Sequence, residues 1–222
     1  MARSTTFLPA ARAFSISSPR SCLWQPGIVI NNRFGEIPSG DFITPEETIG
    51  NFDLSNPWES CLTINGSWGW IPDRPPHSLR WIIRSLVQAA TGDGNLLLNV
   101  GPQADGTIEP LQVERLQEVG AWLSRYGEAI YGTRGGPLPN TAHQGMTRKD
   151  NVIYYHIWEW EENTITLPRL DAEILHVSSL TAEEFSYAIR DGQLSFSVGE
   201  KDRLAPDTII KIELDRPASD LL

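Results

Sequence analysis

The sequence predicts an α/β segment with parallel strands, followed by an all-β antiparallel sandwich, with the change of class near residue 137. Two observations carry this. Up to Gly127, short apolar runs alternate with stretches of helical period, in the order strand, loop, helix, strand, helix. From Thr133 on, Gly135, Gly136, Pro137 and Pro139 punctuate a linker, beyond which short alternating or apolar segments are separated by turns. With 222 residues, 40 % apolar content and eight tryptophans, the chain is long enough to bury a sizeable core.

In chain order, residues 1–23 form an atypical leader, rich in Ser and Ala, with Arg3, Arg12 and Arg20 and no carboxylate. That composition reads as a disordered leader, with an organellar transit segment as the other reading. Pro9 and the polar residues break the apolar run a secretory signal needs. Gly27 to Asn31 is a β-branched run expected to be a strand buried on both faces, with Asn31, Asn32 and Arg33 just past its end. Ser78 to Ala90 is an amphipathic helix capped by Ser78, with Leu79, Trp81, Ile82, Leu86, Val87 and Ala90 on one face. Asn95 to Pro102 is a second parallel-type strand ending in a Gly-Pro loop. Pro110 opens another helix, with Val113, Leu116, Val119 and Leu123 expected to face inward and Gly127 to stop it. The antiparallel strands are expected at Asn151 to Trp158, Thr164 to Leu167, Glu173 to Ser178, Glu184 to Ile189, Gln193 to Val198 and Thr208 to Leu214.

A net charge of −10 and a pI near 4.8 argue against a nucleic-acid partner, because no basic stripe is present to displace counterions. No apolar run reaches the ~20 residues of a membrane span. Cys22 and Cys61 make neither a disulfide framework nor a zinc set and read as unpaired small hydrophobes. His77, His143, His156 and His176 lie apart without metal-ligand spacing, so they are expected to be structural or exposed, with no metal and no cofactor. Asn65-Gly66-Ser67 matches the glycan-acceptor triplet.

The densest chemistry lies between Asn31 and Trp70, where Arg33, a series of carboxylates and Trp58, Trp68 and Trp70 gather in Gly- and Pro-rich loops. Such a mixture suits a sugar: a guanidinium fork grips hydroxyls, an indole covers the apolar ring face, and a carboxyl group protonates the glycosidic oxygen. Each candidate also has a plainer reading. Arg33 could pair with Asp41 or Glu36. Glu46 and Glu47, after Thr44-Pro45, spell a helix start with acids on its dipole. Glu59, between Trp58 and Ser60, is either a proton donor in an apolar setting or a buried hydrogen-bonding residue. Trp68 and Trp70 alternate and fit a pair of core aromatics.

The order of the motifs is more specific than any one of them. Asn-Asn-Arg-Phe-Gly (31–35), Gly-Asp-Phe-Ile-Thr-Pro-Glu (40–46), Trp-Glu-Ser-Cys (58–61), Ser-Trp-Gly-Trp (67–70), Gly-Asn-Leu-Leu-Leu-Asn-Val-Gly-Pro (94–102), Asp-Gly-Thr-Ile (105–108), Gly-Ala-Trp-Leu (120–123) and Gly-Glu-Ala-Ile-Tyr-Gly-Thr-Arg (127–134) follow one another. Together they resemble the C-terminal half of an α-L-fucosidase of glycoside hydrolase family 29. The resemblance implies the C-terminal portion of a (β/α)8-like barrel over residues 24–136 and a β-sandwich domain over 137–222. It also implies retaining hydrolysis of terminal α-L-fucose from glycans, with a fucosylated glycan as partner, no membrane partner, and room for a homo-oligomer. Arg33 matches the arginine that contacts fucose hydroxyls, Glu46 the general acid/base, with Glu59 as the alternative and Glu47 a distant third, and Trp68 the aromatic on the fucose ring and methyl. Asn32 stands where the family often has Asp. Family members are mostly secreted, periplasmic or lysosomal, and the sequence shows no clear signal peptide to assign a compartment.

The family's attacking aspartate lies in a Trp-x-Asp-Gly context upstream of the arginine motif, whereas here the first carboxylate is Glu36. The expectation is therefore a chain that carries the acid/base side of the site without its nucleophile. The rival expectation, of a different class, is a non-catalytic carbohydrate-binding or interaction protein built on residues 137–222.

Overall fold

A computed structural model describes Gln25, residues 27–33 and residues 41–222, in two compact units, Met1–Ile43 and Thr44–Leu222. The expected leader, Cys22 and Glu36 lie outside the described residues. In the first unit the expected strand from Gly27 to Asn31 does not form. Asn31 makes a single parallel bridge to Phe42, the Asp41 carboxylate accepts the Ile30 N–H at 2.8 Å, and Val29 is 60 % exposed. A β-branched run becomes a buried strand only when neighbours cover it, and among the described residues of this unit one bridge is all it has.

The second unit begins its regular structure with β1 (Glu59–Thr63), α1 (Leu79–Thr91) and β2 (Asn95–Asn99). β2 lies parallel to β1, and α1 is the crossover between them, as parallel pairing requires. The residue before β1, Trp58, is almost wholly buried and donates its indole N–H to the Gly92 carbonyl at 3.2 Å. A Cβ at Gly50 or Gly92 would lie 2.7 or 2.8 Å from this ring, and one at Gly94 would overlap it. Glycine is thus required on three sides of one indole. α1 starts where expected: the Ser78 hydroxyl accepts the Trp81 N–H, and His77 just ahead of it stacks on Trp81 with ring centroids 4.0 Å apart.

α2 (Pro110–Tyr126) also begins at its proline and ends at Gly127, whose N–H bonds to the Leu123 carbonyl. Its inward face is shorter than its periodicity predicts. Val119, Trp122, Leu123 and Tyr126 pack with Ile83 and Val87 of α1, whereas Val113 and Leu116 are exposed. The apolar contacts of the helix lie in its second half; in its first half Gln112 is the buried residue, and Leu111, Val113 and Leu116 stay exposed.

The remaining strands are β3 (Arg134–Gly135), β4 (Gln144–Lys149), β5 (Val152–Ile157), β6 (Ile165–Thr166), β7 (Ile174–Ser179), β8 (Phe185–Arg190), β9 (Gln193–Val198) and β10 (Thr208–Leu214). They form a five-stranded antiparallel sheet in the order β3-β4-β5-β10-β7 and a three-stranded one in the order β6-β9-β8. Met146, Ile153, Tyr155, Ile157, Ile210 and Ile212 from the first share a core with Leu194, Phe196 and Val198 from the second. Tyr154 and Ile209, on the other face of the five-stranded sheet, pack with the two helices in a second core. β5 is therefore buried at five consecutive positions, which is why its sequence runs apolar or aromatic rather than alternating. β3 and β4 carried no strand signal. Gln-Gly-Met-Thr-Arg-Lys has little β-branching, and its Gly145 is required because a Cβ there would lie 2.5 Å from the Asn140 side-chain oxygen.

Two polar ties cross between the helical part and the five-stranded sheet. Asp93, at a positive φ in the loop after α1, accepts from Arg134 Nε at 2.8 Å and from the Gly135 N–H at 2.7 Å. The second tie is a fully buried chain: Asp207 Oδ2 lies 2.7 Å from His156 Nδ1, and His156 Nε2 lies 3.1 Å from the Thr147 hydroxyl. The Thr147 proton goes to the Ala129 carbonyl at 2.7 Å, so this hydroxyl can only accept from the ring, and Nε2 must carry a hydrogen. Burial pushes the Asp207 carboxyl above its ordinary value, against the opposing pull of the His156 ring and the Ile157 N–H.

Three outcomes follow for the folded chain. Gly94→Ala is expected to lower the urea unfolding free energy by about 1–3 kcal/mol, the cost of overpacking. Asp207→Ala strands the His156 ring and is expected to cost about 3–5 kcal/mol, with Asp207→Asn, which keeps a side-chain partner, costing less. Burial lowers the His77 pKa from 6.5, with Glu47 opposing and Arg74 reinforcing the shift. The fold thus favours the neutral ring, and the associated stability is present above 6.5 and lost as pH falls through the lowered value. An NMR titration of His77 is expected to show a midpoint below 6.5.

Candidate active site

Glu46 does not open a helix. Its segment is extended and runs parallel beside β1: the Cys61 N–H donates to the Pro45 carbonyl and the Glu47 N–H to the Cys61 carbonyl, both at 2.9 Å. Glu47 then takes a φ of 53°, an uncommon conformation for a side chain of this size, and the chain turns away. Glu46 is therefore the last paired residue of a parallel segment, at its carboxyl end.

Register fixes what Glu46 shares a face with. It bridges Cys61, and Cys61 pairs with Leu97, so the three form one row across adjacent parallel segments. Strand alternation sends Glu59, Cys61 and Thr63 to the face opposite Trp58, Ser60 and Leu62. Trp58 is packed against the glycines at the end of α1, so the Glu46 row lies on the face turned away from it. That face is open at mid-strand, where Leu97 is 43 % exposed and Cys61 is half-buried.

Glu59 lies on this face too, but at the amino end of β1, opposite Asn95 and one row below Cys61. Rows on one face are about 7 Å apart along a strand. The Trp58 indole that gave Glu59 its apolar setting in the sequence lies on the other side of the sheet.

At the carboxyl ends two loops meet. Asn99, paired with Thr63, donates its side-chain amide to the Trp68 carbonyl at 3.1 Å. A Cβ at Gly101 would come within 2.6 Å of the Gly69 backbone, so the Ser-Trp-Gly-Trp and Asn-Val-Gly-Pro motifs touch through glycine. Trp68 is 44 % exposed and Trp70 is exposed as well; they are not the core pair that their alternation suggested. Both lie in the loop that follows β1.

Asn65, in contrast, is 3 % exposed, so the acceptor triplet it heads cannot be reached by a glycosylating enzyme in this fold. Neither its amide atoms nor the buried Thr63 hydroxyl has a hydrogen-bond partner among the described residues, a polar patch by the strand ends that the sequence did not single out. Arg33 belongs to the other unit, where it is exposed and its N–H donates to the Asn31 side chain at 3.0 Å. The structure thus brings Glu46, Cys61 and Asn99 to one face of the parallel segments, with Glu46 beside mid-strand Cys61 and with Asn99 at the carboxyl end of β2, where its amide meets the Trp68 carbonyl. Among the described residues there is no cluster of His, Cys, Asp and Glu able to hold a metal, and no helix long and apolar enough to cross a membrane.

Comparison with known proteins gives a consistent result. The family model of α-L-fucosidase matches residues 17–128. The human tissue α-L-fucosidase is 36 % identical over 149 residues, covering 62 % of this chain and 32 % of that one. The Branchiostoma floridae α-L-fucosidase is 34 % identical over 156 residues, covering 64 % and 35 %. Among solved structures, α-L-fucosidase isoenzyme 1 from Paenibacillus thiaminolyticus superposes with a TM-score of 0.75 at 29 % identity, over 87 % of this chain and 52 % of that one. The Thermotoga maritima α-fucosidase gives 0.68 at 30 % identity, over 86 % and 46 %. The chain spans about a third of the length of the curated relatives it matches. With the match running through the segments that carry Glu46, Trp68 and the two parallel strands, the chain belongs to the α-L-fucosidase family.

Proposed function

We propose that this chain supplies the acid/base side of an α-L-fucosidase site acting on terminal α-L-fucose of glycans. The observation that carries the reading is the position of Glu46: last in its parallel segment, in register with Cys61 and Leu97, on the face turned away from Trp58 and the end of α1. In a (β/α)8 barrel, catalytic groups come from the carboxyl ends of the strands. We take residues 24–136 as the C-terminal portion of such a barrel and 137–222 as a β-sandwich domain. Glu46 protonates the glycosidic oxygen as the bond to fucose breaks, then takes a proton from the water that releases the sugar. Trp68 covers the ring and methyl of fucose, and Arg33 is the residue that the family resemblance assigns to the fucose hydroxyls. Glu59 is the alternative acid/base, though its position at the amino end of β1 favours Glu46.

Retention needs a second carboxylate about 5–5.5 Å from the first, to attack the anomeric carbon. The family resemblance puts that aspartate ahead of the arginine motif, where this sequence has no acidic residue. The purified 222-residue chain is therefore expected to leave 4-nitrophenyl α-L-fucoside unhydrolysed; measurable turnover, abolished in Glu46→Gln, would show that it holds both carboxylates. Titration with L-fucose is expected to shift the Trp68 indole resonance, and Trp68→Ala to weaken binding roughly tenfold, which corresponds to ~1.4 kcal/mol. Fucose binding that leaves the Trp68 signal unmoved would overturn this site.

A further inference from the structure

A second site lies elsewhere in the fold. Between α1 and the loops that follow β5 and β9 is a cleft of about 450 Å³, walled by Arg80, Arg84, Trp160, Glu162, Glu200 and Arg203. None of these residues has a part in the fucose reading. The two arginines on α1 point to the antiparallel sheets: Arg80 donates to the Ala205 carbonyl at 2.8 Å and Arg84 to the Trp158 carbonyl.

Two of the wall residues, Arg203 and Trp160, are held by contacts within the protein. Arg203 donates through Nε and an Nη to the Val198 carbonyl, at 3.3 and 3.0 Å, and through its other Nη to Asn163. Of the five N–H groups of a guanidinium, these bonds occupy three, leaving two in a fork whose orientation is already set. Trp160 is fixed by its indole N–H to the Thr208 hydroxyl at 3.2 Å and by the Arg203 guanidinium 5.3 Å from its ring centroid. Donors held in this way cost little entropy to use. The acceptors are separate: Glu162 and Glu200 make no hydrogen bond or ion pair with described residues, and both are exposed at the cleft.

The charges nearly cancel, because Glu159 and Glu161 join those two carboxylates against three guanidinium groups. Neither a polyanion nor a polycation is favoured. Fixed donors, unpaired acceptors and an indole together match a neutral ligand rich in hydroxyls, and the volume falls within the range of small-molecule sites. We propose that this cleft is an ancillary carbohydrate site that holds a neutral oligosaccharide on the side of α1 facing the antiparallel sheets. It requires no chemistry at Glu46 and stands or falls independently of it. The competing explanation is that the arginines only staple the two loops to α1, and it makes the opposite prediction.

The test is an NMR titration of the indole N–H resonances of the full chain with lactose, with N,N′-diacetylchitobiose and with 2′-fucosyllactose. The expected result is a shift of the Trp160 signal by at least one sugar lacking fucose, with a Kd of about 1–10 mM. Binding is expected to weaken at least roughly fivefold in a Glu162→Gln, Glu200→Gln variant whose thermal midpoint is unchanged, and to persist in Glu46→Gln. The proposal is overturned if no sugar moves Trp160 at about 20 mM, or if Glu46→Gln removes the response, which would place the sugar on the other face.

Discussion

The central strands of the five-stranded sheet, β5 and β10, are buried on both faces, and much of the molecule's order derives from that constraint. One face closes on the three-stranded sheet around Tyr155, Phe196 and Ile210; the other closes on α1 and α2 around Tyr154, Trp122 and Ile83. A polar residue on the helix-facing side must therefore find a partner within the protein, and the Asp207, His156 and Thr147 chain does so through to the Ala129 carbonyl. The same packing fixes α1, which in turn fixes the loop that encloses Trp58 and hence the pitch of β1. The row containing Glu46 is thus positioned by contacts made largely on the far side of the sheet to which it belongs.

Much of this was legible in the sequence because local signals and tertiary demands agree. Ser78 caps α1, Pro110 opens α2, and Gln193 to Val198 and Thr208 to Leu214 form strands over the residues expected. The exceptions have physical reasons. β4 is specified by its partner β5 rather than by its own residues, so Gln-Gly-Met-Thr-Arg-Lys looked like linker. Among the described residues Gly27 to Asn31 has strand composition but only one bridge, and Val113 and Leu116 have helical spacing but stay exposed. Periodicity reports which face could be buried, not what is there to bury it.

The candidate site was legible as chemistry before it was legible as geometry. Motif order singles out Glu46 and Trp68 as candidates, but which face the Glu46 carboxyl shares depends on register, through the Glu46, Cys61 and Leu97 alignment. Glu59 and Trp58 are adjacent in sequence yet lie on opposite faces, which sequence adjacency conceals in any strand. Asn65 looked like a surface acceptor and is buried. The cleft around Trp160 is assembled from three separated stretches of chain, and no window of sequence contains it.

The position of β10 bears on how the chain is made. It is the last strand in sequence, yet it lies between β5 and β7 and pairs with both. Until the ribosome has released residues 208–214, β5 and β7 have no shared neighbour, and the helices have no complete surface to settle on. Closure of the sheet thus waits for β10 and spans distant parts of the chain, and such long-range pairing is slow. The half-built sheet waits with open edges during synthesis, the stage at which a chaperone has most to protect.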